Sequence, residues 1–118
     1  MDVQLFGRPD SRATQKALRF FRERRIPVSF VNLAQRQIAP TELRRFTERF
    51  SPRALLDESA RSYREQGLAY MSLDEEGIVS RLLADQSLLV LPLVRSGNRL
   101  TVGVAEKEWR DWIASDPT

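Results

Sequence analysis

The sequence predicts an α/β domain: a mixed four-stranded sheet with flanking helices and an inserted helical region at about 40–85. Three observations predict it. Within Val3–Leu33 an apolar run, an amphipathic helix and a second apolar run follow one another. That is a βαβ unit, which sets the first two strands parallel with a right-handed crossover. The middle of the chain reads as successive helical stretches. Beyond Leu88 the pattern changes to period two on either side of Ser96-Gly97, which is a hairpin signal.

Each element has a local reason. Val3–Phe6 is a short apolar run closed by Gly7-Arg8-Pro9-Asp10, which is turn chemistry. Asp10 or Ser11 can cap the helix that follows. Its apolar set is Ala13, Ala17, Leu18, Phe20 and Phe21, and Arg12, Lys16, Arg19, Arg22 and Arg24 cover much of the rest. Cations gathered toward its C-terminus suit the helix dipole. Ile26-Pro27 stops this helix, and 28–33 alternates as a half-buried strand. Pro40-Thr41-Glu42-Leu43 opens a helix running to about Phe50, with Leu43, Phe46 and Phe50 as its apolar face. A polar helical stretch is expected over 57–66. Ser72-Leu73-Asp74-Glu75 reads as a capping box ahead of a helix with Ile78, Leu82 and Leu83 inward. The hairpin strands are predicted at 88–95 and 98–102. A last helix over 106–113 turns Trp109, Trp112 and Ile113 inward, with at least one tryptophan partly exposed. There is no repeat, low-complexity tract or linker, so 1–118 reads as one domain.

Composition removes whole classes of chemistry. The chain has no cysteine, which excludes disulfides, thiolate catalysis and cysteine metal sites. It has no histidine, which excludes a Ser-His-Asp triad and the commonest transition-metal ligand. No cofactor and no metal is expected. No stretch approaches the ~20 apolar residues that span a bilayer, and the N-terminus offers no apolar signal core. A soluble cytoplasmic protein without a membrane partner is therefore expected. The net charge of +3 favours acidic partners weakly, and does not by itself support a nucleic-acid partner.

The segment from Phe6 to Ala17 reads Phe-Gly-Arg-Pro-Asp-Ser-Arg-Ala-Thr-Gln-Lys-Ala. It resembles the strand-turn-helix that carries the active-site cysteine in the thioredoxin-like arsenate reductase (ArsC)/Spx family. The resemblance extends from Val3 to Ile113. It includes Ile26-Pro27-Val28, Pro40-Thr41-Glu42-Leu43, Leu55-Leu56-Asp57, Tyr63, Leu73 and Leu88-Leu89. Leu91-Pro92-Leu93-Val94, Gly97 and Val102-Gly103 resemble the family's Arg-Pro-Ile-Val…Gly…Val-Gly stretch. The order and spacing of these motifs carry the assignment. It implies a thioredoxin-like sheet, a cis peptide before Pro92, and glutaredoxin-dependent arsenate reductases as relatives.

Two departures follow. Ser11 stands where the resemblance places the nucleophilic cysteine, with Thr14 at the second cysteine position. Leu91 stands where the family arginine would bind the oxyanion. A serine hydroxyl is a far weaker acid than a thiol and needs an adjacent general base. Lys16, five residues along the helix, is expected to point away from the turn. No catalytic residue is therefore assigned; Ser11, Thr14 and Leu91 are degenerate positions. Arg8, Ser11, Arg12, Thr14 and Pro92 are candidates for binding a small anion or glutathione, since a helix N-terminus keeps its amides and dipole without the thiol. Arg19, Arg22 and Arg25 are candidates for binding a protein partner. The resemblance implies such a use, because the Spx branch engages RNA polymerase with this scaffold. The expectation is a non-catalytic binding or regulatory module; the alternative is a relative of the reductases with a residual anion or glutathione site.

Overall fold

Val3–Gly7 forms β1 at the middle of the sheet. Val3, Leu5, Phe6 and Gly7 are all buried, the signature of a strand covered on both faces. β1 pairs in parallel with β2 (Val28–Asn32), Val3 lying level with Val28. On its other side it pairs antiparallel with β3 (Leu93–Ser96), which turns back as β4 (Arg99–Val102). The order is β2-β1-β3-β4, the mixed four-stranded sheet that the sequence predicts. Gly97 opens the two-residue loop of the β3–β4 hairpin with φ +62°, a conformation that glycine adopts without steric cost. This computed structural model describes residues 1–116.

Helix α1 (Arg12–Glu23) and the last helix, which spans Glu106–Ala114, put their apolar residues into one cluster with the sheet. Val3, Leu5, Ala17, Phe20, Phe21, Val94, Trp109 and Trp112 form it. The Trp109 ring centre lies 5.3 Å from Phe20 and 5.1 Å from Phe21. Its indole N–H donates to the Thr101 hydroxyl at 2.8 Å, so the buried donor is satisfied. Losing a buried aromatic of this size costs about 3–5 kcal/mol. Both tryptophans are buried, against the expectation that one is partly exposed. Thr101 takes the one polar atom of Trp109 and removes the reason for it to reach water.

Contacts divide the chain into two compact units. One joins Met1–Arg36 to the segment from Leu91 onward, and the other is Gln37–Val90. The second unit holds α2 (Pro40–Arg49), α3 (Arg61–Glu65) and α4 (Glu75–Ala84), joined by single 3-10 turns; the helix over Glu106–Ala114 is α5. Glu42 reaches back from α2 to the Ala39 N–H at 2.8 Å. Buried Gln86 accepts from the Ile38 N–H at 2.8 Å and donates to the Ile38 carbonyl at 3.2 Å, standing in for a strand partner. Asp85 accepts from the Ser87 hydroxyl and from Gln66 Nε2 at 2.8 Å. Those hydrogen bonds, Ser87 first, hold its carboxyl below the ordinary carboxylate range against a smaller opposing effect of burial.

Five local expectations differ from the structure. β2 does not alternate: Ser29 and Phe30 are exposed and Val28, Val31 and Asn32 half-buried, because it lies at the sheet edge. The strand expected from Leu88 begins at Leu93, because Gln86–Leu88 forms a 3-10 turn and Leu89 makes an isolated bridge to Leu56. Only 61–65 of the polar stretch is helical. Asp57 instead closes a turn by accepting from the Ser59 N–H at 2.9 Å. The cap of α4 is Asp74, which accepts from the Gly77 N–H at 2.8 Å, and not Ser72. A carboxylate three residues before a free amide outcompetes a hydroxyl two residues further out. Finally, α1 ends in a Schellman motif before Pro27 acts. Arg25 N–H bonds the Arg22 carbonyl and Ile26 N–H the Phe21 carbonyl, each at 3.0 Å. Arg25 takes φ +57°, where glycine is usual. Among the described residues no helix is long and apolar enough to cross a membrane.

Candidate functional site

The candidate site is the turn from β1 into α1. Thr14 is fully buried, and its hydroxyl accepts from the Arg8 N–H at 3.3 Å. A Cβ on Gly7 would fall 2.5 Å from Thr14 Cγ2 and Oγ1, so only glycine permits this approach of strand to helix. Ser11, in extended backbone, is the N-cap. Its Oγ accepts from the Thr14 N–H at 3.1 Å, and its own N–H donates to the Arg8 carbonyl at 3.0 Å. The first-turn amides of Arg12 and Ala13 have no partner among the described residues. They and the helix dipole would stabilise a negative charge at position 11.

The cations of the turn are partly committed. Arg8 Nη2 donates to Asp10 Oδ2 at 3.4 Å. Arg8 Nε lies 3.3 Å from Asp10 Oδ1 but outside hydrogen-bond geometry, so that contact is Coulombic. Arg12 is exposed. Ser11, Arg12 and Arg19 line one shallow groove of about 490 Å³ together with Gln15 and Lys16. Lys16 was expected to point away from the turn. It joins the groove because Cα–Cβ bonds on a helix tilt toward the N-terminus. Arg22 and Arg25 line a different groove, with Leu18, Ile26, Pro27 and Val28. Arg24, by contrast, folds back over Phe20, 3.7 Å from the ring centre.

Leu91-Pro92 is a cis peptide, as the resemblance implies. Pro92 is buried and its carbonyl accepts from the Gly103 N–H at 2.9 Å. The β1–β3 register pairs Phe6 with Leu93. Extending it brings Pro92 level with Gly7 and Leu91 level with Arg8, so Leu91 lies at the same end of the sheet as the turn that leads to Ser11 and Thr14. Of the candidate ligands, Ser11 and Arg12 reach solvent together, Arg8 is held by Asp10, and Thr14 is sealed beneath the turn. The dependence of the turn on Gly7 had no separate sequence signal, since any turn glycine reads alike.

No curated protein matches this chain. Solved structures do resemble it. A protein titled YFFB is 21% identical with a TM-score of 0.85, and the match covers 92% of this chain and 96% of that one. A putative ArsC family related protein from Bacteroides fragilis is 21% identical with a TM-score of 0.84, covering 94% and 97%. An arsenate reductase from Vibrio cholerae is 16% identical with a TM-score of 0.82, again covering 94% and 97%. At these identities the likeness establishes the fold. The model of the ArsC family matches residues 6–112, nearly the whole length, and this chain belongs to the ArsC family.

Proposed function

We propose that this chain is a non-catalytic member of the ArsC family that works as a protein-binding module. The observation that carries this reading is the state of position 11: a serine whose Oγ already accepts the Thr14 N–H as a helix cap. A hydroxyl has no sulfenic or disulfide state, so it cannot perform thiol exchange. Deprotonating it requires a neighbouring base, and the sequence contains no histidine to serve. Leu91 offers no charge to a bound oxyanion. What remains is a folded scaffold displaying arginines on and just beyond α1. Arg19, Arg22 and Arg25 are exposed and make no ion pair among the described residues. They suit an acidic protein surface.

The test has two arms. A coupled assay with arsenate, glutathione and glutaredoxin is expected to give no turnover above a heat-denatured control; turnover overturns the non-catalytic reading. Changing Arg19, Arg22 and Arg25 to Ala should weaken capture of an acidic partner and flatten its salt dependence, since screening acts over about 8 Å at physiological ionic strength. Thermal stability should barely move, because exposed charges contribute little to folding. Unchanged capture across a salt series removes this surface from consideration.

A second reading, a residual anion or glutathione site, has one observation in its favour. Among the described residues the amides of Arg12 and Ala13 and the Nε of Arg8, all within one turn, have no hydrogen-bond partner. Against it, Asp10 already supplies a carboxylate to Arg8. A thermal shift with glutathione or phosphate that Arg8→Ala abolishes would favour this reading over the first.

A further inference from the structure

β2 is an outer strand, and among the described residues nothing pairs with its far side. One hydrogen bond fixes where its backbone groups point. The Leu33 N–H donates to the Gly7 carbonyl at 2.9 Å. With the two-residue period of a strand, Ser29, Val31 and Leu33 turn their backbone toward β1. Val28, Phe30 and Asn32 turn theirs away from the sheet. The Asn32 carbonyl is taken by the amides of Gln35 and Arg36, each at 3.0 Å. Val28 and Phe30 therefore offer their N–H and C=O groups at an open edge. Natural edges are usually blunted by charge, proline or a bulge. The run Val28-Ser29-Phe30-Val31-Asn32 has no charge and no proline, its register to β1 is unbroken, and Phe30 is 36% exposed.

Beside this edge, on the α1 side, lies the open groove of about 590 Å³ lined by Leu18, Arg22, Arg25, Ile26, Pro27 and Val28. Its apolar members would desolvate an apolar side chain. Its two charged members are both arginines, without an ion-pair partner among the described residues. We propose that β2 receives an extended acidic-apolar segment of a partner protein as an added strand. Its backbone pairs with Val28 and Phe30, and alternate side chains enter the groove, an apolar one against Leu18 and Ile26 and a carboxylate against Arg22 and Arg25. Main-chain bonds supply affinity, and the groove selects the residue types. A second copy of this chain fits poorly, because β2 carries no acid to answer the arginines and each copy bears a net charge of +3. This inference deepens the binding-module reading and rests on it.

The probe is the peptide Thr-Glu-Thr-Val-Thr-Glu-Thr-Val, titrated into the full isotopically labelled chain and followed by amide NMR. Shifts should concentrate at Leu18, Ile26, Val28 and Phe30. Methylating the peptide's central amide nitrogens should weaken binding about tenfold or more, and so should Arg22→Glu with Arg25→Glu. Phe30→Pro removes the outward N–H while sparing the Ser29 and Val31 bonds to β1, and should act likewise. If that variant does not fold, the methylated peptide makes the same test on the native protein. Three results overturn the proposal: no binding, equal binding of the methylated peptide, or a dimer in sedimentation that Phe30→Pro dissolves. Loss on charge reversal without sensitivity to methylation sinks edge pairing but leaves the arginine surface standing; no binding together with partner capture indifferent to the arginines sinks both.

Discussion

Replacing Gly7 with Ala tests how the turn is built. The new Cβ would lie 2.5 Å from Thr14 Cγ2 and Oγ1 and 3.1 Å from Thr14 Cβ. Thr14 cannot retreat into solvent, since it is fully buried, and its hydroxyl is held by the Arg8 N–H. Relief must come from moving α1 off the end of β1. Overpacking of this kind costs about 1–3 kcal/mol, and the loss of one hydrogen bond adds about 1 kcal/mol. We expect Gly7→Ala to destabilise the protein by about 2–4 kcal/mol by these two effects, read as a lowered urea midpoint at unchanged slope. The decisive comparison is Gly7→Ala with Thr14→Ala. Removing Thr14 Cγ2 and Oγ1 deletes the two closest contacts, so the double variant should be more stable than the sum of the single changes implies, by about 1–2 kcal/mol of coupling. Additive costs would refute the reasoning, because they would mean that Gly7 is needed for something other than its approach to Thr14.

Three further outcomes are expected. Ser11→Cys should give a thiol whose pKa is lowered by the unpaired Arg12 and Ala13 amides, read from thiolate absorbance against pH, yet support little arsenate reduction unless Leu91→Arg is added. Asp85 has a depressed pKa, so its contribution to stability is present above the unfolded value of about 3.9 and is lost as pH falls through the folded value; the gap in urea midpoint between the native protein and Asp85→Asn should close over that acid range, and a gap constant with pH refutes the network. Arg25→Gly should stabilise the protein by about 1 kcal/mol by relieving a left-handed non-glycine residue at the end of α1, raising the midpoint of thermal unfolding.

The sequence by itself determined the chemistry that is missing and the order of the elements. The absence of cysteine and histidine needs no coordinates, and Ser11 in a cysteine frame follows from the family resemblance that the motifs between Val3 and Ile113 carry together. The βαβ opening was readable because β1 is apolar apart from Gln4 and α1 repeats its apolar residues at helical spacing, both of which are local signals. Tertiary structure decided whatever depends on which neighbour a residue meets. β2 reads as half-buried until its place at the sheet edge exposes Ser29 and Phe30. Leu89 and Leu91 look like strand residues until Gln86–Leu88 and the Leu56 bridge use up the chain before Leu93. Gly7 looks like any turn glycine until Thr14 is found 2.5 Å from where its Cβ would be. Nor does spacing tell that Arg19 and Arg22, three residues apart on one helix, line different grooves, or that Arg24 stacks on Phe20 while Arg25 joins Arg22 in lining a groove. Periodicity reports the face of an element. The partner across that face is set by long-range packing, which short spacings along a chain do not encode.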